Sequence, residues 1–280
     1  MTWERPEVQS LYHLQMKSKK SVIFILLLLT ALALAGVFYW SFGKPQNKLK
    51  ILLTQNQPTQ NSSLLPQSSE NEIATSTPPF FVKDEVSGGN PAKKQIIFTF
   101  DAGAGTNSAQ KILEIAKEHN LKATFFVTGR FAQNYPELIK QIAADGHEIF
   151  NHTFSHPHLT QITDEQIKEE LDKAEQIISG LIQKTTKPYF RPPYGDRNSH
   201  VLEIAKENGY QSVFWTLDAL DWMPDKTAEQ VKEKIYSNLK NGAIILMHVG
   251  DDITGNILDE VFTYMENQGF KIVSLTEGLK

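Results

Sequence analysis

The chain has 280 residues, 40% of them hydrophobic, and no cysteine, which bounds it to one large or two small domains and excludes disulfides, thiolate metal sites and a cysteine nucleophile. Its net charge of −4 is uneven: residues 1–94 hold 10 Lys/Arg against 6 Asp/Glu, and residues 95–280 hold 18 against 26. The acidic C-terminal part argues against nucleic acid as a partner and is compatible with a neutral or cationic polymer.

Residues 1–20 contain Arg5, Lys17, Lys19 and Lys20 and read as a cytoplasmic N-terminal segment. Residues 22–40, VIFILLLLTALALAGVFYW, carry no charge. At ~1.5 Å per residue, a helix of this length spans roughly the 30 Å hydrocarbon core of a bilayer. Tyr39 and Trp40 close it in the manner of interfacial aromatics, so 21–42 is expected to be a transmembrane signal-anchor. The competing reading is a cleaved signal peptide with its small-residue site at Ala33-Leu34-Ala35. Against it, the run stays apolar through Trp40, where a cleaved peptide turns polar. Lysines on both sides weaken the positive-inside bias. The expected location is the cell membrane, single-pass, with the C-terminal domain extracytoplasmic. Residues 43–94 then form a flexible linker, because 29 of these 52 residues are Gly, Pro, Gln, Asn, Ser or Thr. Such a segment cannot bury enough apolar area to offset its ordering entropy.

From Gln95 the pattern changes. Strands are expected at 96–100, 123–127, 148–150, 189–191, 212–215, 243–247 and 271–274. Helices are expected at 108–119, 137–144, 164–183, 201–208, 227–239 and 257–267. About seven strand–helix alternations mean a parallel sheet with crossover helices over 95–280. Pattern alone leaves a doubly wound sheet and a reduced barrel both open. In either, chemistry belongs at the C-terminal ends of the strands.

Those ends are polar in register. The first strand ends in Asp101, followed by Ala-Gly-Ala-Gly105; the third in Asn151-His152-Thr-Phe-Ser-His156. Arg191-Pro-Pro-Tyr194 closes the fourth, Asp218-Ala-Leu-Asp221-Trp222 follows the fifth, and His248 ends the sixth. An Asp in such a place is often a cap or turn residue, but the glycines after Asp101 suit close backbone approach to a ligand. His152 and His156, four apart, have a common metal-ligand spacing. Arg191 is read as a plain salt bridge or as the orienter of a buried carboxylate. His248, at the mouth of a buried strand, suits acid–base work. His147 and His158 are read as supporting or surface residues.

The ordered set resembles the polysaccharide deacetylases of the NodB-homology type, carbohydrate esterase family 4. Five motifs carry the resemblance: Thr99-Phe-Asp-Ala-Gly103, His152-Thr-Phe-Ser-His156, Arg191-Pro-Pro-Tyr194, Asp218-Ala-Leu-Asp221-Trp222 and Leu246-Met-His248. The resemblance implies a distorted (β/α) barrel of about seven parallel strands. It implies that Asp101 is the general base held by Arg191, and that His152 and His156 are metal ligands. The Tyr194 N–H would help bind the oxyanion. Asp221 would tune His248, the general acid, while Trp222 and Leu246 would wall the acetyl pocket. The implied cofactor is a divalent metal, Zn, Co or Mn, and the implied partner an acetylated polysaccharide such as peptidoglycan or a chitin-like glycan.

One departure stands out. The family's second aspartate in the first motif, its third metal ligand, is here Ala102. The leading reading is a membrane-anchored hydrolase removing N-acetyl, or O-acetyl, groups. The alternative is a catalytically weak or inactive glycan-binding protein on the same scaffold.

Overall fold

The computed structural model describes residues 85–280. The expected cytoplasmic segment and signal-anchor, and the linker up to residue 84, lie outside the described residues. Among the described residues no helix is long and apolar enough to cross a membrane.

Among the described residues, eight parallel strands form one sheet. They are β1 (Gln95–Ala102), β2 (Thr124–Val127), β3 (Glu148–Asn151), β4 (Tyr189–Phe190), β5 (Gln211–Ser212), β6 (Leu217–Asp218), β7 (Ala243–His248) and β8 (Lys271–Val273). Their order is β5-β4-β3-β2-β1-β7-β6, with β8 on β1. Strand β1 pairs with β7 along 96–101, with β2 at 99–102 and with β8 at 95–97. No ladder joins β5 to β6 among the described residues, so the sheet is a distorted, open barrel rather than a doubly wound sheet.

Alternation along β1 sorts its side chains. Ile96, Phe98, Phe100 and Ala102 enter the main apolar cluster, shared with the helices; Ile97 enters the cluster inside the barrel. Thr99 and Asp101 share the interior parity of Ile97, which places the carboxylate at the top of the barrel interior. Phe98 packs edge-on against Phe262 with centroids 4.8 Å apart. Each fully buried Phe of this kind contributes about 1.5–3 kcal/mol.

The helices in chain order are α1 (Ala109–Glu118), α2 (Gly129–Asn134), α3 (Pro136–Ala144), α4 (Asp164–Ile182), α5 (Ser199–Glu207), α6 (Ala228–Ser237), α7 (Asp252–Asn267) and α8 (Leu275–Gly278). Thr163 starts α4 with a capping box: its hydroxyl accepts from Gln166 N, and the Gln166 side chain accepts from Thr163 N. Helix α7 begins before the expected residue 257, and its first turn lies close to the active loops. Helix α2, absent from the sequence reading, is capped by Thr128, whose hydroxyl accepts from Phe131 N at 3.1 Å.

The expected strand at 212–215 is shorter. Phe214 and Trp215 leave the sheet to stack on each other at 4.0 Å, and the Arg197 guanidinium lies 3.5 Å from the Phe214 centroid. Glu85 holds Arg197 through both carboxylate oxygens, at 2.6 and 2.7 Å, and Val86 bridges to Val213. The fold therefore already includes Glu85 and Val86, which lie before the boundary expected at 95.

Candidate active site

Asp101 ends β1 and is 7% exposed. Its Oδ1 accepts from Arg191 Nη1 at 2.7 Å; its Oδ2 lies 3.4 Å from His152 Nε2. Arg191 has no solvent exposure. It also donates to Thr99 Oγ1 at 3.0 Å and to the Val213 carbonyl at 3.3 Å, and its guanidinium packs over Phe126. Burial alone would raise the Asp101 carboxyl, but the Arg191 charge, aided by His152 and His248, outweighs it and holds the group below its ordinary value. Asp101 is an anion with one oxygen fixed and the other facing the site.

His152 donates Nδ1–H to the Arg191 carbonyl at 2.8 Å. That bond fixes the tautomer, so the Nε2 lone pair points toward the site. Burial pushes His152 down and pushes His156 down to about 4. Both rings are therefore neutral near pH 7, with centroids 4.8 Å apart. Their loop needs left-handed backbone at Thr153 and His156, a cost of about 1–3 kcal/mol per residue that surrounding contacts must over-determine. Glu170 of α4 supplies those contacts. Its carboxylate accepts from the N–H groups of Phe154 and Ser155 at 2.9 and 2.7 Å and from Ser155 Oγ at 2.6 Å.

On the opposite wall, β7 ends at His248. Asp221 is 2% exposed; its Oδ1 faces His248 Nδ1 at 3.0 Å and its Oδ2 accepts the His248 N–H at 2.7 Å. Burial alone would lower His248, but the Asp221 carboxylate outweighs it and raises the imidazole above its ordinary value. With Nδ1 held by Asp221, Nε2–H is the proton His248 can give.

These walls enclose a cavity of about 600 Å³ lined by Asp101, His152, His156, Tyr194, Trp222, Leu246 and His248, among others. Arg191 and Asp221 lie immediately behind it. Trp222 is 48% exposed and donates Nε1–H to Asp218 at 3.3 Å. Tyr194 is 62% exposed, with φ of 59°, and its N–H has no acceptor among the described residues. His158, read from the sequence as a supporting or surface residue, stacks on the Tyr194 ring at 4.2 Å.

Ala102 is fully buried in the main apolar cluster. The donors available to a divalent ion at this end are thus two neutral imidazoles without the third, anionic ligand, and the set fits a metal only in part. A second grouping, Asp221, His248 and Asp251, brings its ligand atoms within 4.8 Å of one another. Both Asp221 oxygens there already accept hydrogen bonds, which suits the trio to handling a proton rather than a cation. The sequence reading gave no role to Glu170, Thr99 or Asp251. Glu170 and Thr99 act on partners distant in the chain, the 154–155 loop and Arg191, whereas Asp251 lies only three residues beyond His248.

Residues 88–213 match the family model described as polysaccharide deacetylase. The peptidoglycan-N-acetylmuramic acid deacetylase PdaA of Bacillus subtilis is 36% identical over 191 residues, covering 68% of this chain and 73% of the relative. A solved pseudoenzyme of carbohydrate esterase family 4 from Bacillus anthracis is 29% identical with a TM-score of 0.67, covering 71% of this chain and 70% of that one. A mutant of that pseudoenzyme, described as having restored enzymatic activity, is 30% identical with a TM-score of 0.68, covering 71% and 72%.

Proposed function

The chain belongs to the polysaccharide deacetylase family, and from that premise we propose that it removes N-acetyl groups from an acetylated cell-surface polysaccharide. One observation carries the reading. A carboxylate paired with Arg191 and an imidazole whose Nδ1 is held by Asp221 face each other across a single cavity. Asp101 Oδ2 takes a proton from water as its oxygen attacks the acetyl carbonyl. The Tyr194 N–H, which has no acceptor among the described residues, would donate to the developing oxyanion. The C–N bond then breaks as His248 Nε2–H protonates the departing amine, leaving acetate and a glucosamine-type product. His152 and His156 would hold a divalent ion (Zn, Co or Mn), which would supply Lewis-acid polarisation of the carbonyl. With Ala102 in place of a carboxylate, that site is weak. The peptidoglycan-directed relative supports a cell-wall glycan as substrate. The uncharged run at 22–40 supports membrane anchoring with the domain extracytoplasmic.

Ala102 and the likeness to a pseudoenzyme favour a second reading, a glycan-binding protein without turnover. Acetate release by the full chain from acetylated peptidoglycan and chitin oligomers, with chelator and with each metal added, separates the two. Release that grows with metal supports the hydrolase. Binding of glycan with no release under any condition overturns it.

A further inference from the structure

Thr254 sits in the first turn of α7 with no solvent exposure. A buried threonine on a helix commonly turns its hydroxyl to a backbone carbonyl of the preceding turn. Here the hydroxyl donates instead to Asp221 Oδ2 at 2.5 Å. That oxygen also accepts the His248 N–H, while Oδ1 faces His248 Nδ1. Held by His248 alone, the carboxylate has one fixed anchor, the backbone N–H on Oδ2, and could still pivot about that bond as the ring moves. Thr254 reaches it from a third element and removes that freedom.

Thr254 is itself fixed. The Gly255 N–H donates to Ser108 Oγ at 2.8 Å, and Ser108 Oγ donates to the Asp251 carbonyl. A Cβ on Gly255 would lie 2.8 Å from Ser108 Oγ. The start of α7 is thus fastened to Ser108, the N-cap residue of α1, just beyond the loop that follows Asp101.

We propose that Thr254 is a positioning residue for the acid step: its hydroxyl locks Asp221 in the orientation that aims His248 Nε2–H into the cavity. The kinetic consequence rests on the deacetylase reading; the geometric one does not. An amine leaves only when protonated, whereas a phenolate leaves without help. A misaimed His248 therefore slows amide cleavage far more than cleavage of an activated aryl ester.

The test compares the full chain with Thr254→Val, which keeps the shape without the O–H, and Thr254→Ser, which keeps the O–H. On N-acetylglucosamine oligomers, Thr254→Val lowers kcat by about 10–100-fold, part of the worth of general acid catalysis, with KM nearly unchanged. On an aryl acetate the fall is several-fold at most, and Thr254→Ser restores the amide rate. Parallel loss on both substrates, or no loss on the amide, overturns the proposal. The second readout is independent of turnover. With only eight histidines in the chain, 15N-histidine labelling resolves the His248 Nδ1–H signal. It persists in the parent and Thr254→Ser and is lost to exchange in Thr254→Val. An unchanged signal in Thr254→Val overturns the lock. A parent inert on both substrates counts against the hydrolase reading, and the NMR comparison still decides for or against Thr254. Should Thr254→Val not fold, Thr254→Ala removes the same hydroxyl without added bulk.

Discussion

Asp101→Asn is the obvious test of the base, and the structure makes it a stability experiment as well. Asn keeps an oxygen that can accept from Arg191 Nη1 but loses the charge. Arg191 has no solvent exposure, and Asp101 is the one carboxylate within ion-pair distance of it among the described residues. Removing one partner of a buried pair strands the other, at about 3–5 kcal/mol. Against a typical total of about 5–15 kcal/mol, that is about a fifth of the domain's stability at the least. It corresponds to a melting drop of roughly 6–20 °C at about 2–4 °C per kcal/mol for a domain of this size. Turnover falls by at least about 10²–10⁴-fold, since the amide cannot take a proton from water. Urea unfolding followed by circular dichroism gives the stability, and acetate release gives the rate. The double variant Asp101→Asn/Arg191→Met supplies the control. With both charges gone, no buried charge is stranded, and the double variant should be more stable than the sum of the single losses allows, by about 2 kcal/mol or more. Strict additivity in this cycle, or a loss under about 1 kcal/mol in Asp101→Asn, would refute the claim that Arg191 is balanced by Asp101.

Ala102→Asp should bind Zn, Co or Mn more tightly than the parent. At a metal concentration 100 times Kd the ion stabilises the fold by about 2.7 kcal/mol, so the variant's melt should rise with metal and fall with chelator more than the parent's; identical responses would dissociate position 102 from the imidazole pair. His147 is buried, accepts from the Ala123 N–H at 3.1 Å, and is pushed down to about 4 by burial. Its folded value lies below its unfolded value of ~6.5, so its contribution is fully present above about pH 6.5 and is lost as pH falls toward 4. His147→Asn keeps the acceptor without the titration and should flatten the acid limb of stability by up to about 3 kcal/mol; urea midpoints from pH 7 to 4 measure the difference. A fragment starting at Gln95 lacks Glu85 and Val86 and should melt below one starting at Glu85, with equal melts showing that the Arg197 pair adds nothing.

The sequence revealed what is local. β1 was legible because the apolar run at 96–100 ends in a polar residue at the functional end of a parallel strand. His152 and His156, and Asp221 with Trp222, were legible because their spacing is short. Three features were hidden for a common reason. Glu170 holds the histidine loop from α4, Glu85 holds Arg197 from a segment whose composition reads as linker, and the start of α7 falls in a polar stretch, Gly250-Asp-Asp-Ile-Thr-Gly255, with no apolar periodicity. The first two are contacts across 15 and 112 residues of sequence, the third a helix start without apolar periodicity, and hydrophobic pattern records none of them.

The substitution at Ala102 bears on only one half of the chemistry. The proton-handling half keeps its partners: Arg191 holds the Asp101 carboxyl below its ordinary value, and Asp221 raises the His248 imidazole above its own. Neither arrangement draws a ligand from position 102. The half that is reduced is Lewis-acid assistance, where two neutral imidazoles remain. On the proposed reading, the Asp101–Arg191 and Asp221–His248 pairs leave the base and acid in place, so what Ala102 reduces is the hold of His152 and His156 on a metal.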